Sequence, residues 1–359
     1  MSITLENGSR CEGCGQEFET LSFRLRYCPH CIRKDYKKIR ASIEALHGES
    51  RKRFKLPPTP PRSITGVECT ICANRCRIEE GESGYCGLRR NEGGRLVHLA
   101  GMANFGNLEW YYDPLPTNCV ADWVCDGSKD VGRKNLAVFY NACSFNCLFC
   151  QNWHYRERVK TQYGMSAGEL ARLVDPATGC ICYFGGDPTP QIFHSLATSR
   201  IVIENHPEVR ICWETNGNMN KKLLMEAAEL ALRSNGCIKF DLKAWDENLH
   251  IALCGVTNKR TLENFRYLAS LSTRRPEPPL LVASTLLVPL YVDSHEVERI
   301  ASFIASLNPY IPYSLLAFYP HFYMNDLPTT SRQQAKECLE VAKRAGLKRV
   351  RIGNPHLLS

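Results

Sequence analysis

From Asn135 onward, short apolar runs alternate with helix-like segments of about ten or more residues, and this rhythm limits the folds open to the 359-residue chain more than any other feature. The runs are residues 136–139, 180–184, 209–214, 237–242, 280–288, 313–318 and 348–353. Runs of that length read as strands. The segments between them are long enough to cross a sheet and return, so neighbouring strands are expected to be parallel and covered by helices. The class is α/β, and a full barrel, a partial barrel and a doubly wound sheet all satisfy the spacing. Helix starts are marked where a capping residue is followed three positions later by Glu or Gln: Ser166 with Glu169, Asp293 with Glu296, and Thr330 with Gln333.

Upstream of this repeat the chain changes character. At about 150 residues per domain the length suggests two or three units, and three are expected: 1–56, 57–134 and 135–359. The first holds Cys11, Cys14, Cys28 and Cys31 and a helix-like run from Asp35 to Leu46, and prolines at 57, 58, 60 and 61 end it in an extended link. The second is that Pro-rich link and a Cys-rich accessory region carrying Cys69, Cys72, Cys76, Cys86, Cys119 and Cys125. The formal charge is +8, and Arg33 to Lys55 holds nine Lys or Arg against Asp35, Glu44 and Glu49, a local excess of six. Such a block is either a solvated connecting helix or a docking surface for nucleic acid or an acidic protein. With 44% apolar and 23% charged residues the chain is neither disordered nor fibrous. Its longest apolar stretches fall short of the roughly 20 residues of a membrane span, and MSITLENGSR has no signal-peptide core, so a cytoplasmic protein with no membrane partner is expected.

The chain has 19 cysteines, clustered in CxxC pairs and one CxxxCxxC, which favours metal ligation over disulfides. Cys143, Cys147 and Cys150 lie in NACSFNCLFCQNW, directly after the first apolar run. Three thiolates can hold three irons of a cubane 4Fe-4S cluster and leave the fourth open to a small molecule, whereas a closed structural site takes four protein ligands. The rival readings are a zinc site completed by His154 and buried cysteines without metal.

This segment resembles the CxxxCxΦC motif of the radical S-adenosylmethionine (SAM) superfamily, with Phe149 at the aromatic position. Over residues 66–355 the chain is similar to the branch around pyruvate formate-lyase activating enzymes. The resemblance implies a partial barrel of the (β/α)6 type behind a Cys-rich metal-binding region, with SAM and a 4Fe-4S cluster as cofactors and a reductant such as ferredoxin or flavodoxin as partner. It also implies that reductive cleavage of SAM supplies a 5'-deoxyadenosyl radical. Gly185, Gly186 and Asp187 of GGDP resemble the loop that meets the methionyl amino group, with Asp in place of the family's Glu. Glu214 and Asn216 of ETNG resemble a SAM-contacting segment. Asp241 and Lys243 match charged groups near the methionine carboxylate, for which a structural salt bridge is the rival. Ser284 and Val288 resemble positions that close over ribose and adenine.

The remaining cysteines are read from their spacing. Cys11, Cys14, Cys28 and Cys31 suit a structural zinc site, with an iron-sulfur site or no metal as alternatives. Cys69, Cys72, Cys76 and Cys86 suit either zinc or an auxiliary iron-sulfur cluster. Cys119 and Cys125 are expected to complete that second set, to touch an auxiliary cluster, or to act as a thiol pair. Cys254 is expected to pack. The motifs do not encode the hydrogen donor; a protein or peptide is one expectation, and the alternatives are a small molecule or a nucleic acid docked on the basic N-terminal module, or a noncatalytic metal-binding interaction protein.

Overall fold

The computed structural model describes residues 9–117, 119–159 and 164–359. Each of the seven apolar runs is a strand of one eight-stranded sheet. Its strands are β1 (Leu108–Pro114), β2 (Lys134–Tyr140), β3 (Thr178–Gly185), β4 (Arg210–Thr215), β5 (Ile238–Asp241), β6 (Leu281–Leu287), β7 (Tyr313–Ala317) and β8 (Val350–Gly353). Spatial order follows chain order, β2 through β8 are parallel, and β1 runs antiparallel beside β2. A doubly wound sheet reverses its strand order part-way, so this order selects the barrel; β1 and β8 are unpaired edges, which leaves it open. The six units of the expected partial barrel thus gain a last parallel strand, and β1 comes from the stretch read as accessory.

The alternation along β3 to β5 divides the sheet into two faces. Ile181, Tyr183, Ile211, Trp213, Ile238 and Phe240 face the helices and are almost fully buried in the main core. The helices of eight or more residues are α1 (Pro29–Lys52), α2 (Ile192–Asn205), α3 (Lys221–Arg233), α4 (Glu247–Cys254), α5 (Lys259–Leu271), α6 (Ser294–Leu307) and α7 (Arg332–Arg344). Ser166 caps a short helix in a complete capping box, as its spacing predicts. Asp293 caps α6, but the Glu296 carboxylate accepts from the backbone N–H groups of Trp245 and Asp246 instead of reaching back. Ser331, not Thr330, caps α7, because the Thr330 hydroxyl is engaged with the Leu287 carbonyl and the Phe318 N–H.

Helix α1 extends well past the expected 35–46. Pro29 occupies its first turn, where no N–H is required, and Ile39 and Ile43 bury its apolar stripe. Its basic residues are partly tied into the molecule: Arg33 pairs with Glu296 at 3.0 Å, and Arg51, 1% exposed, stacks on Tyr85 and donates to its carbonyl. No helix among the described residues is long and apolar enough to cross a membrane.

Candidate active site

The loops after the parallel strands converge on a cavity with about 740 Å³ of empty space. The first is Asn141–Gln151, which leaves β2 and docks on the end of α4, where the Asn146 and Leu148 N–H groups donate to the Cys254 and Leu253 carbonyls at 2.9 Å. The loop is held from outside the barrel by α1. The Asn146 amide donates to His47 Nδ1 at 2.9 Å and to Ser50 Oγ at 2.8 Å, while His47 Nε2 bonds the Ala252 carbonyl at 3.0 Å. His47 is 3% exposed, and burial pushes its pKa down to about 4, so the ring is neutral with the proton on Nε2.

Cys143, Cys147, Cys150 and Phe149 all line the cavity. Cys254, fully buried behind the loop, has its thiol against Cys147 and does not line it. Gly185 and Gly186 form the facing wall. Their role is close approach of the chain to itself: a Cβ on Gly185, which has φ +106°, would lie 2.5 Å from the Tyr140 nitrogen, and one on Gly186 would lie 2.3 Å from the Ala142 carbonyl oxygen. Hydrogen bonds from Gly186 N–H to Tyr140 and from Asp187 N–H to Ala142 extend the strand pairing into the loops.

Three residues expected to meet SAM stand elsewhere. Asp187, 1% exposed, turns inward instead of lining the cavity. Its Oδ1 accepts from the Thr215 hydroxyl at 2.8 Å and the Asn216 N–H at 2.9 Å, and its Oδ2 accepts from the Thr189 N–H at 3.2 Å and the Ser144 hydroxyl at 3.4 Å. It therefore fixes the three loops against one another. Glu214 lies one layer deeper in the barrel and pairs with Lys239 at 3.3 Å. Val288 is fully buried in a turn, its carbonyl accepting from Tyr291 and Val292.

The others are brought together. Asn216 lines the cavity and donates to Cys143 Sγ at 3.3 Å. Asp241 accepts from Lys243 Nζ at 2.7 Å and from Ser284 Oγ at 2.6 Å, and all three line the same space. Burial alone would lower the Lys243 pKa, but the Asp241 carboxylate together with Cys147 and Cys254 outweighs it and holds the ammonium above the usual lysine value.

Sequence reasoning missed Arg156. It follows the cysteine triad on a short helix, lines the cavity beside Cys150, is 2% exposed, and its Nε and Nη1 have no hydrogen-bond partner in the protein. A buried guanidinium with free donors calls for an anionic occupant. A basic residue in the aromatic stretch NWHYR was the available signal. Three thiols, a Lys–Asp pair, close-approaching backbone and this arginine fit an iron-sulfur cluster beside an amino-acid carboxylate.

The other cysteine sets are distinct. Cys11, Cys14, Cys28 and Cys31 place their sulfurs within 4.8 Å of one another, the only such group of His, Cys, Asp or Glu among the described residues. Cys69, Cys72, Cys76 and Cys86 line one small pocket, next to the triad loop through a 2.7 Å bond from the Asn74 amide to the Ser144 carbonyl. Cys119 and Cys125 do not join them; they face the barrel interior with Cys180, Cys182, Cys212 and Cys237.

An open α/β barrel with such a cavity at the carboxyl ends of its strands defines a cofactor-dependent enzyme. The radical SAM superfamily model matches residues 137–304. An uncharacterized protein of Methanocaldococcus jannaschii is 26% identical over 295 residues, 80% of this chain and 81% of that protein. A second protein of that organism, provisionally named a glycyl-radical enzyme activating enzyme, is 32% identical over 54% of this chain and 69% of its own length. A solved domain of a pyruvate-formate lyase-activating enzyme from Bacteroides vulgatus aligns with 49% of this chain and 99% of its own, at 21% identity and a TM-score of 0.39. The chain belongs to the radical SAM superfamily, a family that implies a 4Fe-4S cluster and SAM.

Proposed function

We propose that the protein is a radical SAM enzyme in which Cys143, Cys147 and Cys150 hold the cluster and the remaining cavity residues hold SAM. The observation that carries this is the convergence of the three thiols, Gly185, Gly186, Asn216, the Asp241–Lys243 pair, Ser284 and Arg156, whose Nη2 donates to Asn146 while Nε and Nη1 stay free, on one cavity. When bound, the cluster and SAM supply a 5'-deoxyadenosyl radical that abstracts hydrogen from the substrate. The chain's own work is positioning. Lys243 and Arg156 present positive charge to a carboxylate, backbone at Gly185 and Gly186 presents polar groups to the methionyl portion, and Asp241 and Ser284 face the sugar. Phe149 and Tyr155 close the cavity against water.

The substrate we favour is a protein or peptide, supported by the relative named for glycyl-radical enzyme activation. An aromatic and basic cleft lined by Arg24, Arg53, Trp153, His321, Phe322 and Tyr323 adjoins the cavity through Arg156, which lies over Phe322 at 4.7 Å, and could seat an extended chain. The stacked Trp153 and Phe322 rings, 5.7 Å apart, favour a nucleic acid as the second reading. We assign structural zinc to Cys11, Cys14, Cys28 and Cys31, since Zn–S bonds of about 2.3 Å set tetrahedral sulfurs about 3.8 Å apart, and Cys14 and Cys28 stand at 4.0 Å. We assign an auxiliary cluster to Cys69, Cys72, Cys76 and Cys86, whose sulfurs are not gathered that closely.

The test is anaerobic reconstitution followed by an assay for methionine and 5'-deoxyadenosine. Reduced protein is expected to form both, and Ala at positions 143, 147 and 150 to abolish them; cleavage that survives in that variant refutes the proposal. Deuterium passing into deoxyadenosine from labelled protein, RNA or metabolite pools identifies the substrate class.

A further inference from the structure

Below the SAM cavity the barrel interior has an unusual lining. Interiors of parallel α/β barrels are filled by layers of bulky branched side chains. Here β3, β4 and the entry to β5 contribute thiols, beside Ala137 on β2 and Val282 on β6. Cys182 on β3 pairs in register with Cys212 on β4, and Trp213 with Ile238 on β5, which sets Cys237 beside Cys212. The Cys212 and Cys237 sulfurs are 3.8 Å apart. A fourth thiol, Cys119, enters from the segment that closes the lower mouth of the barrel. Cys119 and Cys182 both lie 3.1 Å from Lys239 Nζ, so they are at most about 6.2 Å (3.1 plus 3.1) apart. These thiols line one cavity of about 110 Å³ in the barrel interior, where packed aliphatic side chains would leave almost none. Lys239, 2% exposed, stands at its upper edge, paired with Glu214 at 3.3 Å on the same cavity. Cys125 and Cys180 lie on the same cavity as reserve donors.

We propose that Cys119, Cys182, Cys212 and Cys237 hold an iron-sulfur cluster inside the barrel, separate from the cluster of the Cys143 triad. The alternative of a single metal ion fits less well, because these sulfurs do not gather within the 4.8 Å that unites Cys11, Cys14, Cys28 and Cys31. A two-iron cluster takes two thiolates on each iron, so Cys212 and Cys237 at 3.8 Å suit one iron while Cys119 and Cys182, up to about 6.2 Å apart, suit the other. From Cys237 to Asp241 is four residues of β5, so the site lies about 13 Å along the strand from the SAM cavity.

Full-length protein is reconstituted anaerobically with iron and sulfide and analysed for iron, acid-labile sulfide and zinc, with Mössbauer spectra. Cys182→Ala combined with Cys212→Ala and Cys237→Ala is expected to lose at least about two irons and two sulfides per chain, the content of the smallest such cluster. It is expected to keep its far-UV circular dichroism and the SAM-perturbed EPR signal of the triad. A variant with Ala at positions 143, 147 and 150 is expected to retain the barrel irons, so this site and the triad assignment fail separately. Unchanged iron and sulfide in the barrel variant, or zinc in place of iron there, overturns the proposal. Should the triple variant not fold, Cys212→Ser is read by Mössbauer spectroscopy: a changed component is expected, and an unaltered spectrum overturns the proposal.

Discussion

Replacing His47 by Gln should make the protein less sensitive to acid, by an amount set by the burial of this one ring. His47 joins α1 to the triad loop as a neutral imidazole, with its pKa lowered to about 4 from an ordinary 6.5, first by burial and further by Arg51 nearby. The unfolded chain therefore takes up the proton first. The stabilisation is complete above pH 6.5 and is lost as pH falls towards 4. Integrating proton uptake gives a loss of about 2 kcal/mol at pH ~5 and about 3.4 kcal/mol once both states are protonated. His98, His194 and His250 are also lowered to about 4 by burial, so the wild type loses more than this, and the contrast with His47→Gln isolates one share. Gln can donate to the Ala252 carbonyl and accept from Asn146, but it does not titrate. The assay is thermal unfolding of the reconstituted protein, wild type and His47→Gln, at about pH 7.5 and about pH 5. The fall in melting temperature between the two conditions should be a few degrees smaller in the variant. Equal falls in both proteins would refute the reasoning, whatever the absolute stability of the variant.

Two further outcomes are expected from the geometry. Asp187→Asn sets an amide donor against the Thr189 N–H and should weaken SAM binding roughly 5- to 150-fold, the equivalent of about 1–3 kcal/mol, without reducing triad iron; titration of the cluster EPR signal with SAM checks this, and an unchanged dissociation constant would rule out the positioning role. Cys28→Ala should release about one zinc per chain and open residues 10–28 to protease, although the module is also held by the Phe23 N–H on Asp326 at 2.7 Å, while circular dichroism of the barrel persists; metal analysis and limited proteolysis read the two effects.

Features carried by local spacing were legible in the sequence. The seven parallel strands announced themselves as apolar runs, and the Cys11 quartet as two CxxC pairs whose sulfurs gather within 4.8 Å of one another. Backbone-level roles were legible in part. GGDP was visible as a loop, but that Asp187 points inward depends on three loops meeting around it. The Thr330 cap was misplaced by one residue because its hydroxyl is used by β6 and the chain after β7.

The tertiary structure decided what depends on strand register and curvature. Glu214 lies near the end of β4 and Asn216 just beyond it, yet only the layer to which each belongs places Asn216 in the cavity and Glu214 on Lys239. Cys182, Cys212 and Cys237 carry only a period-two hint in CICYF, RICWE and CIKFD, and they are about 30 and 25 residues apart along the chain. They meet because parallel pairing sets three strands level and the helices outside bend them around one interior. Covalent spacing confines neighbours in sequence directly, whereas a barrel layer exists only once packing over the whole sheet has fixed which residues stand at the same height.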